Sequence, residues 1–244
     1  AHPWQNVRKV GEDIVATQLL LPRHHRIRPS DLGALISGGV SEVQVRRRPV
    51  AAVLPTGSEL VRHTDLGEDL RVEPGRIVEY NSVILSGLVR ECGAVPRVWD
   101  IVPDREERIR EAVTEAVRSD ADLVVVNAGS SAGSKDYTAH VIEELGEILV
   151  HGVAMMPGKP TILGVVEGKP VVGNPGYTVS ATLSFEQFVR PLLLGLQALR
   201  PEAPRTVRVH PSRDIPSRAG IDEFVRVNIG RIGDRAVATP LPRA

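Results

Sequence analysis

Leu123-Val124-Val125-Val126-Asn127-Ala128-Gly129-Ser130-Ser131-Ala132-Gly133-Ser134-Lys135-Asp136-Tyr137-Thr138 is the stretch whose reading decides the fold. It opens on a continuous, mostly β-branched apolar run, the kind buried on both faces of a parallel sheet. Small and polar residues follow, and a helical pattern over residues 138–145 then meets Gly146, a helix stop. Buried strand, glycine-bearing loop and helix together make the repeating unit of a doubly wound α/β domain.

The same alternation recurs on both sides of it. Residues 50–54 read as a strand, 81–92 as a helix ended by Gly93, and 96–102 as a second strand. Within residues 106–118, Ile109, Ala112, Val113, Ala116 and Val117 form one stripe at i, i+3, i+4 spacing, the mark of a helix packed on a sheet. Further strands are expected at 148–153, 161–166 and 170–172, before a long helix over 179–199. The expectation is a doubly wound, mostly parallel α/β sheet over residues 50–200, with β-rich flanking segments. Residues 1–49, broken by Gly11, Pro22, Pro29, Gly33, Gly38 and Gly39, read as a β-rich lead-in ending at Arg46-Arg47-Arg48-Pro49. After the hinge Pro201-Glu202-Ala203-Pro204, the alternating Val207 and Val209, then Phe224, Val225, Val227 and Ile229, read as a small, incomplete β module over 205–244. Ala1-His2-Pro3-Trp4 carries neither an initiator methionine nor a basic-then-apolar leader, so the sequence reads as a piece of a longer chain.

Composition narrows the function. Thirty Lys and Arg against 30 Asp and Glu leave no net charge, which argues against charge-driven binding to nucleic acid or to a membrane surface. At 42% hydrophobic residues but only 3% aromatic, the core must be aliphatic, and a stacking platform for single-stranded nucleic acid is not expected. The lone Cys92 allows neither an internal disulfide nor a multi-cysteine metal site, in keeping with a reducing compartment. No apolar run approaches the roughly 20 residues of a membrane span.

In such a sheet the chemistry belongs to loops that leave the carboxyl ends of strands and enter helix N-termini. The 127–138 loop answers that description. Its glycines let backbone amides approach an anion and its serines add donors, although it lacks both a Walker ending and a GxGxxG fingerprint. Asp136 there reads either as a carboxylate set against the helix dipole or as a ligand for a divalent cation. Met156-Pro157-Gly158-Lys159-Pro160 is a stiffened turn presenting one ammonium, and the 173–181 segment supplies further amides and hydroxyls before the last helix. Glu59 and Asp104 follow strand ends; singly each is a turn carboxylate, but converging with Asp136 they would make a Mg2+ seat beside a phosphate cradle. The histidines show neither HxxxH nor HxH spacing, which argues against zinc.

Several of these motifs occur in a known order. Thr56-Gly57-Ser58-Glu59-Leu60, the 130–138 loop, Pro157-Gly158-Lys159-Pro160, and Pro175-Gly176 followed by Val179-Ser180-Ala181 resemble the molybdopterin molybdenumtransferases, the MoeA and gephyrin E-domain family. Val10-Gly11-Glu12-Asp13-Ile14 and Arg47-Arg48-Pro49 match as well, so the resemblance covers essentially the whole chain. It implies the MoaB/Mog-like fold and a cytoplasmic, dimeric transferase of molybdenum-cofactor biosynthesis. Such enzymes bind adenylylated molybdopterin with Mg2+, insert molybdate and release AMP; the molybdopterin adenylyltransferase is an implied partner. The resemblance implies substrate contacts at Gly129, Ser130, Ser131, Gly133, Ser134, Pro157, Gly158, Lys159, Pro175, Gly176 and Ser180. It further implies that Glu59, Asp104 and Asp136 are catalytic, with Asp136 and Glu59 as metal ligands.

The chain also departs from the family's pattern. Met156 replaces the first lysine of Lys-Pro-Gly-Lys-Pro, and no arginine precedes Glu223-Phe224, where the sequence reads Gly220-Ile221-Asp222. Glu79-Tyr80-Asn81 replaces Asp-Ser-Asn, and Pro175-Gly176-Tyr177-Thr178 replaces Pro-Gly-Asn-Pro. Lost positive charge makes a non-catalytic module that binds or senses molybdopterin or molybdate the alternative expectation.

Overall fold

The structure, a computed structural model, describes residues 2–67, 71–128, 137–200 and 203–242. The chain begins with a helix, α1 (Pro29–Ser37), and continues through β1 (Val50–Pro55), β2 (Leu60–Arg62), β3 (Ile77–Glu79), α2 (Asn81–Glu91), β4 (Val95–Val98), α3 (Glu106–Arg118) and β5 (Leu123–Asn127). Next come α4 (Tyr137–Leu145), β6 (Gly146–His151), β7 (Met155–Met156), β8 (Ile162–Val166), β9 (Lys169–Asn174), α5 (Thr178–Ser184) and α6 (Arg190–Leu196). Four short strands close the chain: β10 (His210–Pro211), β11 (Asp222–Glu223), β12 (Val227–Ile232) and β13 (Arg235–Pro240).

Six strands form the central sheet in the order β4-β1-β5-β9-β8-β6. The first four run parallel, and β8 and β6 add an antiparallel edge. Alternation along each strand sorts the core into two layers. Ala52, Leu54, Val124 and Val126 pack under α3 and α4, whereas Ala51, Val53, Leu123 and Val125 pack under α2 and the helical segment that begins at α5. All eight side chains are fully buried, each contributing roughly 1.5–3 kcal/mol for the larger ones. The fold class read from the Leu123-Val124-Val125-Val126 run is the observed one: mixed α/β about a mostly parallel sheet.

Three expectations are corrected. The lead-in over residues 2–49 contains no strand among the described residues; it contains α1. Pro29 sits in the first turn of α1, where a missing N–H costs nothing, and the Asp31 carboxylate accepts the Arg28 N–H at 2.7 Å. The long C-terminal helix is broken into α5 and α6 by a π-helical turn, Phe185–Val189, which turns Phe185 and Val189 into the core. The second strand ends at Val98, and the segment after it leaves the sheet to reach the residues after β1.

At the C-terminus β10, β13 and β12 form a three-stranded sheet of their own. It is joined to the α/β part through β11, which pairs in parallel with β7. Backbone bonds from Asp222 N–H to the Ala154 carbonyl and from Phe224 N–H to the Met156 carbonyl, both 2.8 Å, extend that seam.

Candidate functional site

From β1 the chain crosses through α2 to β4 on one side, and from β4 through α3 to β5 on the other. The strand order therefore reverses between β1 and β5, and their outgoing loops part to opposite faces, opening a crevice at their carboxyl ends. Backbone bonds stitch its floor: Thr56 N–H to the Asn127 carbonyl and Ala128 N–H to the Asn174 carbonyl, each 3.0 Å. Gly57 N–H donates to the Val102 carbonyl at 3.0 Å, and Val102 N–H to the Pro55 carbonyl at 2.8 Å. A Cβ on Gly57 would stand 2.8 Å from Leu60 Cγ, so only glycine fits this turn. The crevice encloses about 150 Å³ and is lined by Thr56, Glu59, Glu79, Tyr80, Asn127 and Gly176, among others.

Glu59 lines the crevice, and Asp104 lies near enough for the Glu59 charge to act on it. The Asp104 N–H donates to Ser58 Oγ at 3.0 Å, tying the segment after β4 to the turn that carries Glu59. Desolvation raises the Asp104 carboxyl above its ordinary value, the neighbouring Glu59 charge raises it further, and a hydrogen bond from the Ser58 backbone offsets part of this. Neither carboxylate has an ion-pair partner among the described residues. The Glu59 charge thus opposes ionisation of Asp104, a repulsion that a cation would relieve.

Below the crevice lie two buried amides at register partners of β5 and β9. Asn174 Nδ2 donates to Asn127 Oδ1 at 3.2 Å, while Asn174 Oδ1 has no partner among the described residues. A buried Glu79 carboxylate caps α2 by accepting the Ser82 N–H at 2.8 Å and the Ser82 hydroxyl. The turn before α5 is fastened to the same helix end. Asn81 Nδ2 donates to the Gly176 carbonyl at 2.6 Å, and Thr178 Oγ1 lies 3.1 Å from both Asn81 Oδ1 and the Tyr80 hydroxyl.

A larger cavity of about 510 Å³ opens between the α/β part and the C-terminal strands. Met156, Lys159, Ser180, Glu223, Phe224 and Arg226 are on its walls, and Tyr177 borders both spaces. Gly158, at φ +115°, lets the turn present Lys159; a Cβ there would fall 2.2 Å from Met155 Cε.

The sequence-derived residues therefore divide. Glu59 and Gly176 line the crevice and Asp104 sits beside Glu59; Pro175 is buried at the end of β9. Pro157, Gly158, Lys159 and Ser180 line the second cavity. Gly129, Ser130, Ser131, Gly133, Ser134 and Asp136 lie outside the described residues. Among the described residues no group of three or more His, Cys, Asp or Glu is placed to hold a metal ion. Thr56, Asn127 and Asn174 fall within the motif segments read from the sequence but not among its expected site residues; Thr56 and Asn127 line the crevice, and Asn174 is bonded to Asn127. The available signal was one polar residue ending each apolar strand on the same sheet edge.

The family profile described as "Probable molybdopterin binding domain" matches residues 52–195, which contain every strand of the central sheet except the first two residues of β1. A molybdopterin biosynthesis protein of Methanocaldococcus jannaschii is 32% identical over 93% of this chain and 56% of its own length. The molybdopterin molybdenumtransferase of Haemophilus influenzae is 34% identical over 80% of this chain and 47% of its own. The crystal structure of the molybdopterin biosynthesis MoeA protein from Pyrococcus horikoshii superposes with a TM-score of 0.78 at 32% identity, covering 96% of this chain and 55% of that one. The chain belongs to the molybdopterin-binding family of molybdenum-cofactor biosynthesis, in its MoeA branch. It spans about half the length of the curated relatives it matches. Among the described residues no helix is long and apolar enough to cross a membrane.

Proposed function

We propose that the protein containing this chain is a cytoplasmic, dimeric molybdopterin molybdenumtransferase, fed by a molybdopterin adenylyltransferase, that takes adenylylated molybdopterin, inserts molybdate with Mg2+ and releases AMP. The observation that supports this reading is Glu59 on the wall of the switch-point crevice with Asp104 beside it, neither ion-paired among the described residues. Both are hard oxygen donors, and their mutual charge is what a divalent ion neutralises, so the residues fit Mg2+. Glu59 and Asp104, with Asp136 assigned from the sequence, would hold it. When bound it would supply charge neutralisation on phosphate oxygens.

This chain's own groups do the remaining work. The tight turn at Gly57, closed over Leu60, sets Glu59 on the crevice wall, while the stitched ends of β1, β5 and β9 hold the crevice floor. Lys159 lines the second cavity, where its ammonium would hold an oxyanion such as molybdate. Incubating the full-length protein with adenylylated molybdopterin, molybdate and Mg2+ tests the reading. It expects AMP release that stops when the metal is chelated; no AMP and no binding would reject it.

A specific observation favours a second reading. Met156, where the family pattern has lysine, and Glu223-Phe224, which lack the preceding arginine, line the same cavity. A chain without those charges that binds ligand but never releases AMP would be a binding or sensing module.

A further inference from the structure

Two of the chain's three tyrosines stand at the mouth of one crevice. Tyr80, just before α2, is 50% exposed, and Tyr177, just before α5, is 74% exposed. They come from distant parts of the sequence, yet their carriers are fastened together. The 176–178 turn is held on the N-terminal end of α2 by the Asn81 bond to the Gly176 carbonyl and by Thr178 beside the Tyr80 hydroxyl. In a chain this poor in aromatics, two rings left outside the core and brought to one opening are unexplained by packing. Both also stand where the chain departs from its family's pattern, at Glu79-Tyr80-Asn81 and Pro175-Gly176-Tyr177-Thr178.

We propose that Tyr80 and Tyr177 form an aromatic mouth that stacks a planar fused heterocycle of a phosphate-bearing ligand. The inference rests on the crevice being an anion site and names the part of the ligand that the acidic rim cannot hold. A flat ring offers each tyrosine a π-face and loses apolar surface to it, with few rotatable bonds to freeze. Its phosphates would lie toward Glu59, which lines the same crevice, and toward Asp104 beside it. An adenine and a pterin present this same chemistry, so the mouth accepts the ring of either kind of ligand.

The test titrates the chain, in the presence of Mg2+, with AMP, 6-hydroxymethylpterin, ribose 5-phosphate and pyrophosphate. Tyr80→Ala and Tyr177→Ala are expected to weaken a ring-bearing probe about five- to 100-fold. The Phe variants should retain binding, and the affinities of ribose 5-phosphate and pyrophosphate should stay unchanged. Quenching of pterin emission on binding assigns the mouth to a pterin, and AMP binding without it assigns the mouth to adenine. Circular dichroism establishes that the variants are folded. Ring affinities equal to wild type in both Ala variants would overturn the stacking role. Pyrophosphate binding with no ring bound would overturn it while leaving the anion site standing, whereas no binding of any probe would sink both.

Discussion

Met156 stands opposite Glu223 in the parallel pairing of β7 with β11, and both side chains line the cavity that also holds Lys159 and Arg226. An apolar side chain thus occupies the wall where a third cation would face the same space. Met156→Lys should tighten molybdate binding several-fold, with a gain that shrinks as salt rises. Calorimetric titration with molybdate at two ionic strengths checks this. An unchanged affinity would place position 156 away from the anion.

Asp104 titrates upward through desolvation and the Glu59 charge. Folding therefore binds its proton more tightly than the unfolded chain does. The ionised carboxylate costs stability above its raised value, and that cost disappears below the ordinary carboxylate value near about 4. Asp104→Asn should raise the melting temperature by on the order of 1–2 °C at neutral pH and leave it unchanged in acid, because the group is partly solvated. Thermal melts at both pH values decide the matter; a neutral-pH loss would mean Asp104 is held by a partner.

Asp122 behaves oppositely. Burial raises its carboxyl, but hydrogen bonds from Arg47 and from the Val50 N–H, with the nearby positive charges, leave it below its ordinary value. Its stabilisation is present above the unfolded value near about 4 and fades as pH falls through the lowered folded value. The Val50 N–H bond is 2.8 Å and anchors the start of β1. Asp122→Ala should cost about 1–2 kcal/mol in denaturant titrations at neutral pH, with the difference narrowing in acid.

Leu123, fully buried in the α2 layer, should be the costlier deletion. Leu123→Ala is expected to lose about 2–5 kcal/mol with an unchanged denaturant slope. A loss below about 1 kcal/mol would show that the layer collapses around the gap.

What was legible in the sequence follows from how local each signal is. The Ile109, Ala112, Val113, Ala116 and Val117 stripe places α3 at Glu106–Arg118, because the pattern and the burial have one cause. The α1 helix was hidden by frequent Gly and Pro, although Pro29 and Asp31 are start signals. The π-helical turn could not be read, since Phe185 and Val189 are also compatible with an unbroken helix. The turn carboxylates Glu59 and Asp104 were visible as residues following strands, but the Ser58 bond that couples them is a long-range contact. The same holds for the seam of β7 with β11, which divides the expected site residues between two cavities.

The most direct test is calorimetric titration of adenylylated molybdopterin into the chain and into Glu59→Gln/Asp104→Asn, each with Mg2+ and with a chelator. Binding by the wild-type chain that Mg2+ strengthens at least ten-fold, and that gains nothing from Mg2+ in the double variant, is the predicted result. No binding, or an affinity indifferent to both the metal and the two carboxylates, would contradict it.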